Sequence, residues 1–323
     1  MKKYNLGFLL LVASLLIYSC TKDDGTSVEP ARDYSEQYLI DIDSIDEFID
    51  THYMTVDADL NATFTRIPVG GTQQSIREQT DYPLQSRLVD NLDDDGEDFQ
   101  YKVYFIKLRE GNGKRPSRVD SVHVAYTGDR IYTKQEEILP STDPKTYNYF
   151  TENLQFETTP NPVWFQLEAV VPGWAEIFPE FKTGTYSTDE GPNPVTFEDY
   201  GIGIMFLPSG LAYYNNSSAS GIIPAYSNLI FSFKLFELRY KDHDRDGILS
   251  KDEVPAGSGI HYNPLDYDSD GDETANMYDV DDDGDHVMTK IEIKNPLTGL
   301  PYPFADIPLC TDGKKKHLST LCQ

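Results

Sequence analysis

Val170-Val171-Pro172-Gly173-Trp174-Ala175-Glu176-Ile177-Phe178-Pro179-Glu180-Phe181 is the stretch on which the reading of this chain turns. Trp174, Ile177, Phe178 and Phe181 fall at i, i+3, i+4 and i+7, the spacing of a helix that buries one side. The pattern predicts a helix over residues 172–182, with Pro179 kinking it. Trp174 is one of two tryptophans in 323 residues. At a helix start, behind two β-branched residues and a glycine, it is placed to form the base of an apolar site.

Outward from this helix the pattern is alternation. Tyr101, Val103 and Phe105, then Val122, Val124 and Tyr126, then Leu229, Phe231, Phe233 and Leu235 each recur at every second residue, the period of a strand. Strands around one short helix give an α+β class. Upstream, Ser44-Ile45-Asp46-Glu47 has the form of a capping box, and Ile45, Phe48, Ile49 and Tyr53 follow at helical spacing. Residues 34–100 are therefore expected to be a helical extension, poor in strands over 57–98. A calcium-type loop begun at Asp93 would end on Tyr104, which cannot chelate, so residues 93–97 read as a solvated loop. From Asp242 hydrophobicity falls and aspartate dominates, which marks a separate segment, 241–323.

The segments between 101 and 240 resemble the FKBP-type peptidyl-prolyl cis-trans isomerases. The residues that carry the resemblance are Asp120-Ser-Val-His-Val-Ala-Tyr126-Thr-Gly128, Val-Val-Pro-Gly-Trp174, Leu211-Ala-Tyr213, Gly221-Ile-Ile-Pro224 and Leu229-Ile-Phe231, in the family's order. The resemblance implies an antiparallel sheet wrapped around the short helix. It also implies a proline pocket walled and floored by Tyr126, Phe156, Val170, Val171, Trp174, Tyr213, Ile222 and Phe231. Glu157 stands where the family usually has Asp, and Val163 where it has a bulky aromatic. The stretches 129–153 and 186–203 are longer than the family needs. The implied activity uses no nucleophile, metal or cofactor. An X–Pro amide interconverts slowly because twisting it forfeits resonance, and a dry aromatic pocket favours the less dipolar twisted form. Tyr213 would donate to a substrate carbonyl, with the Ile222 N–H as a second donor.

A net charge of −27, from 27 basic and 54 acidic residues, excludes nucleic acid as a favoured partner. Lys2 and Lys3 followed by the apolar run 6–17 form a targeting segment, shorter than the ~20 residues that span a bilayer. Its end, Ile17-Tyr18-Ser19-Cys20, resembles a bacterial lipobox, which implies acylation of Cys20 and an outer-membrane lipoprotein tethered through residues 21–33. Thr21-Lys22-Asp23-Asp24 resembles an acidic surface-export tag. Cys310 and Cys322 leave two states open, a disulfide around a short basic loop or two free thiols.

The segment from Asp242 carries the sharpest spacing. Asp242, Asp244, Asp246, the Ile248 carbonyl, Ser250 and Glu253 occupy positions 1, 3, 5, 7, 9 and 12 of an EF-hand loop, with Gly247 at position 6. Oxygen-only ligands at this spacing suit structural Ca²⁺. Two further loops keep their ligands only in one register. One uses Asp268, Asp270, Asp272, the Thr274 carbonyl, Asn276 and Asp279. The other uses Asp281, Asp283, Asp285, the Val287 carbonyl, Thr289 and Glu292. That register puts Glu273 and His286 at the tight turn, where glycine is preferred, and predicts weaker binding there. The close packing of loops resembles thrombospondin type 3 repeats, with a dockerin-like partner-binding role as the alternative. The chain as a whole reads as an isomerase acting on X–Pro bonds of envelope or surface proteins. The alternatives are a non-catalytic proline-binding chaperone and a calcium-dependent surface assembly or adhesion protein.

Overall fold

The computed structural model describes residues 30–90, 99–139, 144–187, 195–218 and 221–322. Cys20 and residues 93–97 lie outside the described residues. The chain divides after Arg32, and Asp33–Gln323 forms one compact unit. Among the described residues no helix is long and apolar enough to cross a membrane.

The unit opens on α1 (Tyr34–Thr51), capped by Asp33, whose carboxylate accepts from the amides of Ser35 and Glu36 at 2.9 and 3.1 Å. The helix therefore starts well before the capping box read at Ser44, which lies inside it. A hairpin follows, β1 (His52–Val56) against β2 (Ala62–Arg66). After it come β3 (Leu84–Asp90), β4 (Gln100–Arg109), β5 (Ser121–Glu137), β6 (Tyr147–Gln166), α2 (Pro172–Ile177), β7 (Thr185–Tyr186), β8 (Phe197–Glu198), β9 (Gly201–Leu207), β10 (Leu229–Arg239) and α3 (Thr289–Glu292). Six strands form one antiparallel sheet in the order β3-β4-β9-β10-β5-β6. The α+β class stands.

Both faces of this sheet are covered, and strand alternation feeds two cores. On one face Val103, Phe105, Met205, Leu207, Phe231 and Phe233 pack against Trp174, Ile177, Phe178 and Phe181 of the helical segment. On the other, Tyr104, Ile106, Ile204, Phe206 and Ile230 pack against Ile45, Phe48 and Ile49 of α1. The 57–98 stretch is thus not strand-poor: β2 lies within it, and β3 is an edge of the main sheet. Every residue of β9 is buried, so it shows a continuous apolar run instead of an alternating one. It takes Gly201, Ile202 and Gly203 out of the expected 186–203 insertion. The 129–153 stretch is also no free loop. It prolongs β5 and β6 as a paired hairpin, with Ile131 opposite Asn153 and Glu137 opposite Tyr147.

The helix is shorter than the 172–182 span. α2 ends at Ile177 and tightens into a 3₁₀ turn over Phe178–Glu180, because Pro179 has no N–H to continue the ladder. Beyond β10 the apolar core is small: Ile248, Ile293 and Ile307, with Tyr302 and Phe304 against them. So few buried side chains cannot hold a segment of this length, and such segments need staples. One is present, since Cys310 and Cys322 form a disulfide.

Phe48 is fully buried between α1 and the sheet. Phe48→Ala is expected to cost about 3–5 kcal/mol, read as a lowered urea midpoint at unchanged slope. A cost below about 1 kcal/mol would mean that α1 is not part of the folded unit.

Candidate functional site

A cavity of about 340 Å³ opens at the start of α2, lined by Tyr126, Phe156, Glu157, Phe165, Ala169, Val170, Val171, Pro172, Trp174, Ala212, Tyr213 and Phe231. Gly173 sets its floor. A Cβ there would stand 2.5 Å from Leu207 Cδ2, so only glycine lets α2 close on the sheet and seat Trp174. Gly128 likewise leaves room for the Phe156 ring, which a Cβ would meet at 2.5 Å. Three rings stand nearly on edge around the indole. Tyr126, Phe165 and Phe231 have centroids 5.2, 5.3 and 5.3 Å from that of Trp174, at 84°, 76° and 85°. Edge-to-face packing of this kind is the favoured aromatic geometry. The result is a box walled mainly by aromatic rings.

Glu157 lies at the mouth between two phenols. Burial, then the neighbouring Glu157 carboxylate, pushes the Tyr126 hydroxyl up to about 12 and raises that of Tyr213. Both therefore stay protonated at neutral pH and able to donate. Tyr213 is 45% exposed and stands at the edge of the box. Its loop is pinned from the far side of the sheet. Asp41 of α1, 1% exposed, accepts from the Ser209 amide at 2.7 Å and hydroxyl at 2.6 Å, and Tyr34 stacks on Tyr214 with centroids 3.8 Å apart. The N-terminal helix thus holds the loop that carries Tyr213.

Eight of the nine residues expected from the sequence line this cavity. Ile222 does not: it is 47% exposed, while its neighbour Ile223 is buried and uses its amide on Ser218 Oγ. The aromatic sought at Val163 is supplied by Phe165. Along β6 Val163 and Phe165 share a face, and Trp164 points the other way to stack on His123 at 4.8 Å.

The three acidic loops share one hydrogen-bond pattern. The position-5 amide is held by the position-3 carboxylate in Asp246/Asp244, Asp272/Asp270 and Asp285/Asp283. The position-7 amides of Ile248, Thr274 and Val287 are held by the carboxylate at position 5. Position 6 is left-handed in all three: Gly247, Glu273 (φ 77°) and His286 (φ 74°). Gly271 and Gly284 are left-handed as well; it is the hydrogen-bond pattern of the first loop that recurs in the loops starting at Asp268 and Asp281. Position 9 differs from expectation. The side-chain oxygens of Ser250, Asn276 and Thr289 accept from the position-2 amides of His243, Ser269 and Asp282 at 3.2, 2.8 and 3.1 Å. They close the loops.

The carboxylates group as Asp242–Asp244–Asp246, Asp268–Asp270–Asp272 and Asp281–Asp283–Asp285, each set with ligand atoms within 4.8 Å of one another. Glu253 and Glu292 are 3% and 2% exposed, and both oxygens of each lack a hydrogen-bond partner among the described residues. Burial and neighbouring carboxylates push Glu253 up to about 10 and Glu292 to about 8. Buried, unpaired carboxylates of this kind are costly unless a cation shares the site. The first and third loops therefore fit a hard, oxygen-seeking cation. The second is shallower, with Asp270 and Asp272 exposed and no orphaned buried oxygen among its described side chains.

The loops are also joined to the pocket side of the fold. His243 Nε2 lies 2.8 Å from Glu168 Oε2, and the Tyr278 hydroxyl donates to Glu168 Oε1 at 2.8 Å. Glu168 stands directly before the pocket residues Ala169 and Val170.

Residues 243–317 match a family model described as BamM C-terminal. Solved structures that resemble the chain include a peptidyl-prolyl cis-trans isomerase from Pseudomonas syringae (20% identity, TM-score 0.29, 47% of this chain and 80% of that one). FkpA from Escherichia coli aligns at 23% identity and TM-score 0.27, over 42% of this chain and 48% of that one. The three FKBP domains of wheat FKBP73 align at 19% identity and TM-score 0.27, over 48% and 51%. The chain thus spans about half the length of the last two. The reading of the pocket rests on its own residues.

The raised carboxylates give a pH test. In chelator their stabilising contribution is full below about pH 4, the unfolded value. It is lost as pH rises through the folded values of about 6 for Asp246, 7 for Asp244, 8 for Glu292 and 10 for Glu253. The melting temperature in chelator is expected to fall from pH 5 to 9. Saturating Ca²⁺ should abolish that slope and raise the value at pH 8 by roughly 5 °C or more. Parallel curves with and without Ca²⁺ would contradict the cation reading.

Proposed function

We propose that this protein is an FKBP-type peptidyl-prolyl cis-trans isomerase. In this reading it acts on X–Pro bonds of envelope or surface polypeptides, is held to the outer membrane by acylated Cys20, and keeps its C-terminal segment folded around Ca²⁺. The observation that carries the reading is the box itself, with Trp174 as floor, three rings on edge around it and Tyr213 at the mouth. In this reading the box takes up a proline ring. The adjoining amide then lies in a dry, weakly polar setting that stabilises its twisted, less dipolar form over the planar one. Tyr213 donates to a substrate carbonyl as the bond turns. No nucleophile, metal or cofactor takes part. The match of residues 243–317 to the BamM C-terminal model is consistent with a place at the outer membrane.

Glu157 favours a second reading. A carboxylate one methylene longer than the family's Asp bonds to the Tyr126 hydroxyl and places its charge near Tyr213, which would leave a proline-binding chaperone without turnover. A proline-limited refolding assay separates the two. The wild-type protein is expected to accelerate the slow phase, Trp174→Ala to abolish the acceleration, and Tyr213→Phe to reduce it about 2–13-fold, the value of one lost hydrogen bond. No acceleration by the wild type would exclude the enzyme.

A further inference from the structure

The middle residue of the third loop's acidic run points away from its own loop. Asp281 and Asp283 group with Asp285, whereas Asp282 groups with Asp246 and Glu253 of the first loop, their ligand atoms within 4.8 Å of one another. Asp282, Asp246 and Glu253 are 1%, 3% and 3% exposed. Both oxygens of Asp282, both of Glu253 and Oδ2 of Asp246 lack a hydrogen-bond partner among the described residues. The backbone that presents Asp282 is fixed on both sides. Its amide donates to Thr289 Oγ1 at 3.1 Å, and its carbonyl accepts from the Ser269 hydroxyl of the second loop.

Position 2 of such a loop normally faces solvent. A buried carboxylate aimed at two others must either take up a proton or share a positive charge with them, and among the described residues no ion pair involves any of these three. We propose that Asp282 is a ligand of the first loop's divalent cation, supplied across from the third loop. The proposal rests on the calcium reading above and deepens it. The Asp281-Asp282-Asp283 tripeptide then serves two ions, turning outward twice to the third site and once to the first. The first site gains a fifth carboxylate side chain, beyond Asp242, Asp244, Asp246 and Glu253 of its own loop, and ligand charge count is what tunes affinity in such sites. The arrangement also makes the first site depend on the third loop being folded.

The test is calorimetric titration of the full chain in mild detergent with Ca²⁺ alone. Wild type is compared with Asp282→Asn, Glu253→Gln and, as a control, Asp268→Asn of the second loop. Asp282→Asn and Glu253→Gln should weaken or remove the same binding step by roughly tenfold or more, and Asp268→Asn a different one. A melting comparison guards against a merely misfolded variant. Asp282→Asn should melt higher than wild type in chelator, where the buried carboxylate is a liability, and lower in saturating Ca²⁺. An Asp282→Asn protein that titrates like wild type while Glu253→Gln loses a step would overturn the proposal and leave the calcium loops standing. A wild type that takes up no Ca²⁺ would overturn both.

Discussion

The indole of Trp174, laid flat beneath three rings that stand on edge, is the contact from which the rest of the site follows. It exists because the helix carrying it approaches the sheet closely enough for Gly173 to touch Leu207. Its neighbours Tyr126, Phe165 and Phe231 sit on β5, β6 and β10, three adjacent hydrogen-bonded strands. The helix is also fastened from behind. Glu176, 1% exposed, is paired with Arg87 at 3.0 Å and with Arg118, and His261 reaches Glu180 at 2.9 Å. Breaking a buried pair of this sort costs about 3–5 kcal/mol because it strands a charge. Strand β3, which supplies Arg87, is thus an anchor for the pocket as well as a sheet edge.

The same sheet serves as a divider. On its pocket face the apolar side chains meet α2, and on its other face they meet α1. The link between faces is polar: Asp41 of α1 holds Ser209 at the root of the loop that carries Tyr213. The acidic segment reaches the pocket from another direction, through His243 and Tyr278 on Glu168. Elements outside the 101–240 span therefore brace the pocket from two sides. That segment has three buried isoleucines at its centre and is stapled by its disulfide.

How much of this was legible depends on period. Trp174, Ile177, Phe178 and Phe181 announce their helix because one face alone is buried, and β10 announces itself by Leu229, Phe231, Phe233 and Leu235. β9 was hidden because both its faces are covered, so its residues do not alternate. Phe165 was recoverable: a strand that puts Val163 on the pocket side must put Phe165 there too. Asp41 was not, since its partner Ser209 is distant in the chain and a lone aspartate on a helix ordinarily faces water. Asp282 was obscured in the same way. Within Asp-Asp-Asp-Gly the spacing assigns the outer two, and only the fold shows where the middle one points. The loop register, by contrast, rests on ligand chemistry against the glycine rule, and the hydrogen-bond pattern of the first loop recurs in that register.

The central claim is that the box lowers the barrier to rotation and does not merely hold proline. Exchange NMR on a short X–Pro peptide with a catalytic amount of the protein tests it most directly. The uncatalysed isomers interconvert over tens of seconds, too slowly for exchange peaks at sub-second mixing times. The account predicts cis–trans exchange peaks that appear at those mixing times and vanish when an excess of a tighter proline-containing competitor is added. Peptide resonances that shift or broaden on binding while the isomers remain unexchanged would contradict it, and would make the pocket a binding site alone.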